Sequence, residues 1–112
     1  MWKGYVIMKI IFEVAEEHKI PISIIAATNM SKLSDVEEIE MVYLESGISA
    51  VIEKGVISPI LGMEKVKVVA CGVAMKERNI TQDDLVPGVV SVPASFVEIA
   101  RKQSEGWIYL NL

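Results

Sequence analysis

The sequence predicts an α/β domain built on a parallel sheet with helices over its faces. Three observations predict it. Apolar, β-rich runs alternate with helical patterns from end to end, which is the order that a parallel sheet with covering helices produces. The first run is nearly continuous in apolar residues (Val6, Ile7, Met8, Ile10, Ile11, Phe12, Val14), as in strands covered on both sides. No repeat, low-complexity tract or linker interrupts the 112 residues, so residues 1–112 read as one domain with one core.

The first strand is expected over Val6–Val14. Met8 is an alternative start, which would leave residues 1–7 as an N-terminal extension. Ala15 to Ile20 read as a polar loop. Pro21 suits the first turn of a helix, where its missing N–H costs nothing, and that helix should run to about Leu33 before Ser34-Asp35. Ile39–Leu44 form a second strand. Ser46-Gly47 turn into a short helix, Ile48–Glu53, with Gly55 as its C-terminal cap, and Pro59 and Gly62 break the connection that follows. Val66–Ala70 is the most strand-like segment, and it delivers Cys71-Gly72 at its end. A helix follows from Val73 to about Arg78. Thr81-Gln82-Asp83-Asp84 has the spacing of a capping box. Pro87-Gly88 is a turn, Val89–Val92 a short strand, and Pro93 opens a last helix through about Gln103. Gly106 stops it, and Trp107–Leu110 is the final strand.

The composition is apolar for a soluble chain, with 52% hydrophobic and 23% charged residues, against the usual ~45–50% apolar. A domain this small has little interior in which to hide the excess. No run approaches the ~20 apolar residues of a membrane span; Ile20–Met30 contains Pro21, Ser23, Thr28 and Asn29. The N-terminal run is broken by Lys9 and stopped by Glu13, and no small-residue cleavage site follows, so it does not read as a signal peptide. Self-association is the remaining outlet. The helix from Pro21 agrees: Ile20, Ile24, Ala27 and Met30 form one stripe, and Ile22 and Ile25 lie off it, so one face suits the sheet and the other a neighbouring subunit. The net charge of −4 argues against nucleic acid, which needs a basic patch. The single cysteine excludes an intrachain disulfide framework, and a free thiol fits a reducing cytoplasm.

The second half carries a family pattern. Val68-Val69-Ala70-Cys71-Gly72-Val73-Ala74 puts a cysteine directly after a strand. Ile80 to Val89 follows, containing Asp84-Leu85-Val86-Pro87-Gly88-Val89, and the chain closes on Gln103-Ser104-Glu105-Gly106-Trp107-Ile108-Tyr109. In this the sequence resembles the DsrE/DsrF-like family, with the distinctive words in register over roughly residues 66–110. Residues 8–55 match in outline, through the first strand, Asn29 and Gly47. The resemblance implies a three-layer α/β/α sandwich with a five-stranded parallel sheet, and assembly into homo-trimers or homo-hexamers. It also implies that Cys71 accepts persulfide sulfur from a donor protein and passes it to an acceptor protein. Two positions depart from the pattern. Leu44-Glu45 stands where the family commonly has a His-Gly step, and Ser95 where it commonly has a glycine.

Taken from the residues alone, Cys71 is either a small core hydrophobe or a reactive thiol. Its position favours the second reading, because sites in open parallel sheets gather at the carboxyl ends of strands. There the N–H groups of Gly72 and Val73 would hold an anionic sulfur, and Gly72 would leave it open to attack. His18, the only histidine, lies in the loop after the first strand. It is either a base for the thiol or a solvated residue among Glu16, Glu17 and Lys19. One Cys and one His do not make a metal site. Asp83-Asp84 fit capping rather than acid–base work, and no glycine-rich phosphate motif occurs, so no cofactor is implied. Trp107 and Tyr109 read as core or interface. The expectation is a small sulfur carrier, a candidate sulfurtransferase. The alternatives are a homo-oligomeric binding or assembly module with an inert cysteine, or a small-ligand binder at the strand ends.

Overall fold

The computed structural model describes residues 7–112. The start of the first strand at Val6, and the extension over residues 1–7 apart from Ile7, lie outside the described residues. Five strands form one parallel sheet in the order β4-β3-β2-β1-β5. They are β1 (Met8–Val14), β2 (Val36–Tyr43), β3 (Val66–Cys71), β4 (Val90–Val92) and β5 (Ile108–Asn111). Between them lie α1 (Ile20–Ser31), α2 (Lys54–Leu61), α3 (Gly72–Glu77) and α4 (Ser95–Ser104).

The strand order places the helices. From β1 to β4 each strand is laid on the same side of the last, whereas β5 returns to pair with the far edge of β1. Because crossovers between parallel strands are right-handed, reversing direction moves the connecting helix to the opposite face. Among the described residues, the connections from β1 to β4 therefore cover one face and α4 covers the other. The apolar clusters follow this division. The larger joins Ile10, Phe12, Val14, Met41, Tyr43, Val68 and Ala70 to Ile20, Ala27, Ile57 and Ile60. The smaller is Ile11, Val42, Val69 and Ile99, flanked by Trp107 and Tyr109. Period-two alternation along the strands deals these residues to the two faces.

Helix α1 seats the expected stripe, with Ile20 and Ala27 buried and Ile22 and Ile25 exposed. The buried Ser23 hydroxyl ties it to the sheet through Tyr43 Oη at 2.8 Å. At Thr81–Asp84, the Asp84 carboxylate accepts the Thr81 N–H at 2.8 Å and its hydroxyl at 3.0 Å, capping the 3₁₀ turn Gln82–Asp84.

The middle of the chain corrects the sequence reading. The short helix expected at Ile48–Glu53 is a 3₁₀ segment, Glu45–Ile52. The pairs Gly47/Ala50 and Ile48/Val51 are all buried, and their spacing of three matches the 3₁₀ repeat. Gly55 does not cap it; it is the second residue of α2, and Pro59 lies inside that helix. Proline in a helix removes the bond to the carbonyl four residues back, here that of Gly55. Both residues are exposed, so water can take that carbonyl. Burial of Ile57 and Ile60 on the opposite side then outweighs two poor helix formers.

Candidate functional site

Strand β3 delivers Cys71 to the carboxyl edge of the sheet, where the backbone is still extended (φ −74°, ψ 118°) before α3 begins at Gly72. The residue is 4% exposed, and four donors face its sulfur. Burial pushes the thiol pKa up. The Ser95 hydroxyl, then the N–H groups of Ala74, Ser95 and Val73, pull it down and prevail, leaving the thiol more acidic than usual. Donors that favour the charged form lower an acid's pKa, so the arrangement stabilises a thiolate.

Ser95 reaches the sulfur because Val92 on β4 pairs with Cys71 on β3, and Pro93-Ala94 then turn the chain into α4. Gly72 permits this approach. A Cβ there would stand 2.7 Å from the Val92 carbonyl oxygen and 2.9 Å from that of Pro93, inside contact distance. The site residues named from sequence therefore divide. Val73 supplies an N–H to the sulfur, whereas Gly72 acts by letting the β4–α4 loop close onto β3. Ala74 and Ser95 are donors that the sequence reading did not name.

The sulfur lines a cavity of about 280 Å³ walled by Val73, Ala74, Ser95, Phe96 and Ile99. Phe96, 69% exposed, is the most exposed apolar side chain of this wall. Leu44 and three carboxylates, Glu13, Glu45 and Glu77, complete the lining. Glu13 accepts a 2.6 Å hydrogen bond from Tyr109 Oη, which with burial raises the phenol pKa to about 12. Glu45 holds φ at 47°, a left-handed conformation that favours glycine. That is the position where the family pattern commonly has glycine. Leu44 lines the cavity where a histidine is common, so this lining contains no imidazole.

His18 is not brought to Cys71. The 3₁₀ turn Glu17–Lys19 carries it onto the surface, where its side chain is 73% exposed and its Nε2 lies 3.3 Å from Glu16 Oε2. That turn is anchored by Ser46 Oγ, which accepts the Glu17 N–H at 2.9 Å. Among the described residues, no group of three His, Cys, Asp or Glu is placed to hold a metal ion, and no helix is long and apolar enough to cross a membrane.

Solved structures share this architecture. MTH1491 of Methanobacterium thermoautotrophicum, described as a protein of unknown function, superposes with a TM-score of 0.83 at 28% identity, covering 94% of this chain and 99% of that one. BT1422 of Bacteroides thetaiotaomicron, also of unknown function, gives 0.72 at 13% identity over 93% and 94%. The ychN protein of E. coli gives 0.66 at 18% identity over 94% and 100%. No curated protein matches the sequence. The profile of the DsrE/DsrF-like family matches residues 8–112, a span that contains every strand and helix described above, and the chain belongs to that family.

Proposed function

We propose that this protein is a sulfur carrier that holds persulfide sulfur on Cys71. The observation that carries the proposal is the set of donors from Ser95, Val73 and Ala74 around a sulfur at the wall of a cavity. Family membership supports sulfur relay as the class of chemistry. The Cys71 thiolate attacks the terminal sulfur of a donor persulfide. The donor's S–S bond breaks, the donor leaves as a thiolate, and the transferred sulfur with its proton becomes Cys71–S–SH. An acceptor thiolate then attacks that outer sulfur and Cys71 leaves as a thiolate. The two steps balance without an oxidant or reductant, and a stabilised thiolate is both the better-populated nucleophile and the better leaving group. Donor and acceptor would be proteins or small persulfides that reach the Phe96 side of the cavity.

The same reading makes the protein a homo-oligomer. Ile22 and Ile25 are exposed on α1, and a neighbouring subunit would cover them. The test is to incubate the protein with a persulfide donor and weigh it intact, then under native conditions. A mass gain of one sulfur atom, absent from Cys71→Ser, is expected, and the native mass reads the subunit number. Absence of the adduct with every donor would remove the carrier role. The low exposure of Cys71 favours one rival, a binding or assembly module with an inert thiol. For that rival, native Cys71 would stay silent to polar thiol reagents until the protein is denatured.

A further inference from the structure

Under α4 lies a buried carboxylate that the sulfur chemistry does not use. Glu40, in the middle of the central strand β2, is 1% exposed. Taken as an ionised acceptor, it has no hydrogen-bond donor to either oxygen among the described residues. An unpaired buried carboxylate is costly, so its surroundings must supply charge or its own proton must neutralise it. Lys67 on β3 pairs with it across the sheet. From α4, Glu98 faces it and Lys102 Nζ stands 3.8 Å from Glu40 Oε1 and 3.8 Å from Glu98 Oε2. Arg101 lies near Glu98 on the same helix. Lys102 also rests 4.9 Å from the centroid of the Trp107 ring. The β1 neighbour, Ile11, is apolar. Two residues earlier on β2, Glu38 is engaged by Lys9 at 3.2 Å.

A proton on Glu40 turns two facing carboxylates into a donor–acceptor pair. Burial is the main cause that raises the Glu40 carboxyl pKa to about 8, helped by its bond to Glu98, while Glu98 is lowered as the accepting partner. The helix that carries Glu98 starts with Ser95, whose hydroxyl and N–H face the Cys71 sulfur, and continues through Phe96 and Ile99 in the cavity wall.

We propose that Glu40 is a positioning residue for the Cys71 site: protonated, it lets α4 lie flush on the sheet, and α4 in turn holds Ser95 on the sulfur. Ionised, Glu40 and Glu98 repel across the contact, α4 loosens, and the thiolate loses the two donors that Ser95 supplies. The consequence for Cys71 rests on the sulfur-carrier reading, whereas the seating of α4 does not. The sign of the pH effect follows from linkage. Glu40 ionises near its ordinary 4.5 in the unfolded chain and near 8 in the folded one. Folding therefore takes up a proton between those values, and stability falls as pH rises through that window.

Hydrogen exchange of α4 amides, expressed as protection factors from about pH 5 to pH 10, tests the seating directly. Protection of α4 should step down several-fold as pH rises from about 5 to about 8 and level off above that, while β1–β3 stay protected. Glu40→Gln should abolish that step, and Glu98→Gln should move it to lower pH. A wild-type profile without the step, or an unchanged step in both variants, would overturn the proposal. The rate of Cys71 modification by a neutral thiol reagent, corrected for thiolate fraction, should rise across the same step in wild type and not in Glu40→Gln, because a thiolate freed of the Ser95 donors is more basic and more nucleophilic. An α4 step without any persulfide on Cys71 would defeat the carrier reading and leave Glu40's role standing. Persulfide formation without the step would do the reverse.

Discussion

Cys71 is acidified by hydrogen bonds rather than by a neighbouring base, and this determines which substitution matters. The Ser95 hydroxyl is the first of the groups that lower the thiol pKa, and Ser95 is 3% exposed, so water cannot readily replace it. A hydrogen bond to a charged group contributes about 1.5–3 kcal/mol. Ser95→Ala should therefore raise the thiol pKa. The rate at neutral pH should fall by about three- to tenfold, less than the thiolate fraction falls, because a more basic thiolate is intrinsically more nucleophilic. A pH–rate profile of alkylation by a neutral reagent checks both parts. An unshifted profile would mean that the backbone N–H groups alone hold the sulfur. Cys71 was legible in the sequence because a cysteine after an apolar run lands at a strand's carboxyl end. Ser95 was not, because its place on the sulfur depends on β4 lying beside β3, and neighbouring order within a sheet is a long-range fact. Its only local mark was the departure from glycine.

At the scale of elements, the site depends on how closely the β4–α4 loop sits on the start of α3. Gly72→Ala would press a methyl group against two backbone carbonyls, those of Val92 and Pro93, which cannot swing aside as a side chain can. Overpacking of this kind costs about 1–3 kcal/mol. Gly72→Ala should lose that much in chemical denaturation, and the displaced loop should weaken Ser95's hold on Cys71. The thiol would then lose reactivity together with stability. Gly55→Ala offers the contrast, because among the described residues no atom beyond its own chain neighbours and helix backbone lies within 4 Å of its added Cβ; it should leave thiol reactivity unchanged. Strands were readable from their apolar runs, and α1 from its stripe. Helix α2 was not, since Gly55 and Pro59 are breakers by local propensity, and only the contacts of Ile57 and Ile60 with the sheet side of the core make the helix worth forming. His18 failed for a related reason. Being in a loop at the right end of the sheet does not determine the direction in which a 3₁₀ turn points its side chain.

Across the whole molecule, charge selects what can approach the sulfur. The chain carries a net charge of −4, and the cavity adds Glu13, Glu45 and Glu77 around Cys71, with no Lys, Arg or His in its lining among the described residues. Fields focused by a cleft lined with one sign of charge change association rates by about tenfold or more at low salt. Methanethiosulfonates that differ only in a trimethylammonium, a neutral or a sulfonate tail, each normalised to its rate with free cysteine, isolate this effect. The cationic reagent should modify Cys71 about tenfold faster than the anionic one at low ionic strength. The gap should narrow as salt shortens the Debye length to about 10 Å near 0.1 M. The double variant Glu45→Gln, Glu77→Gln should narrow it without salt, since both side chains are exposed and neither is a donor to the sulfur. Equal rates for the two charged reagents would mean that the carboxylates are screened where the reagent enters, and anionic donors would then be as acceptable as cationic ones. If the expected order is found, productive partners are those that bring a positive or neutral surface to the Phe96 side of the cavity, and small anionic persulfides are poor donors.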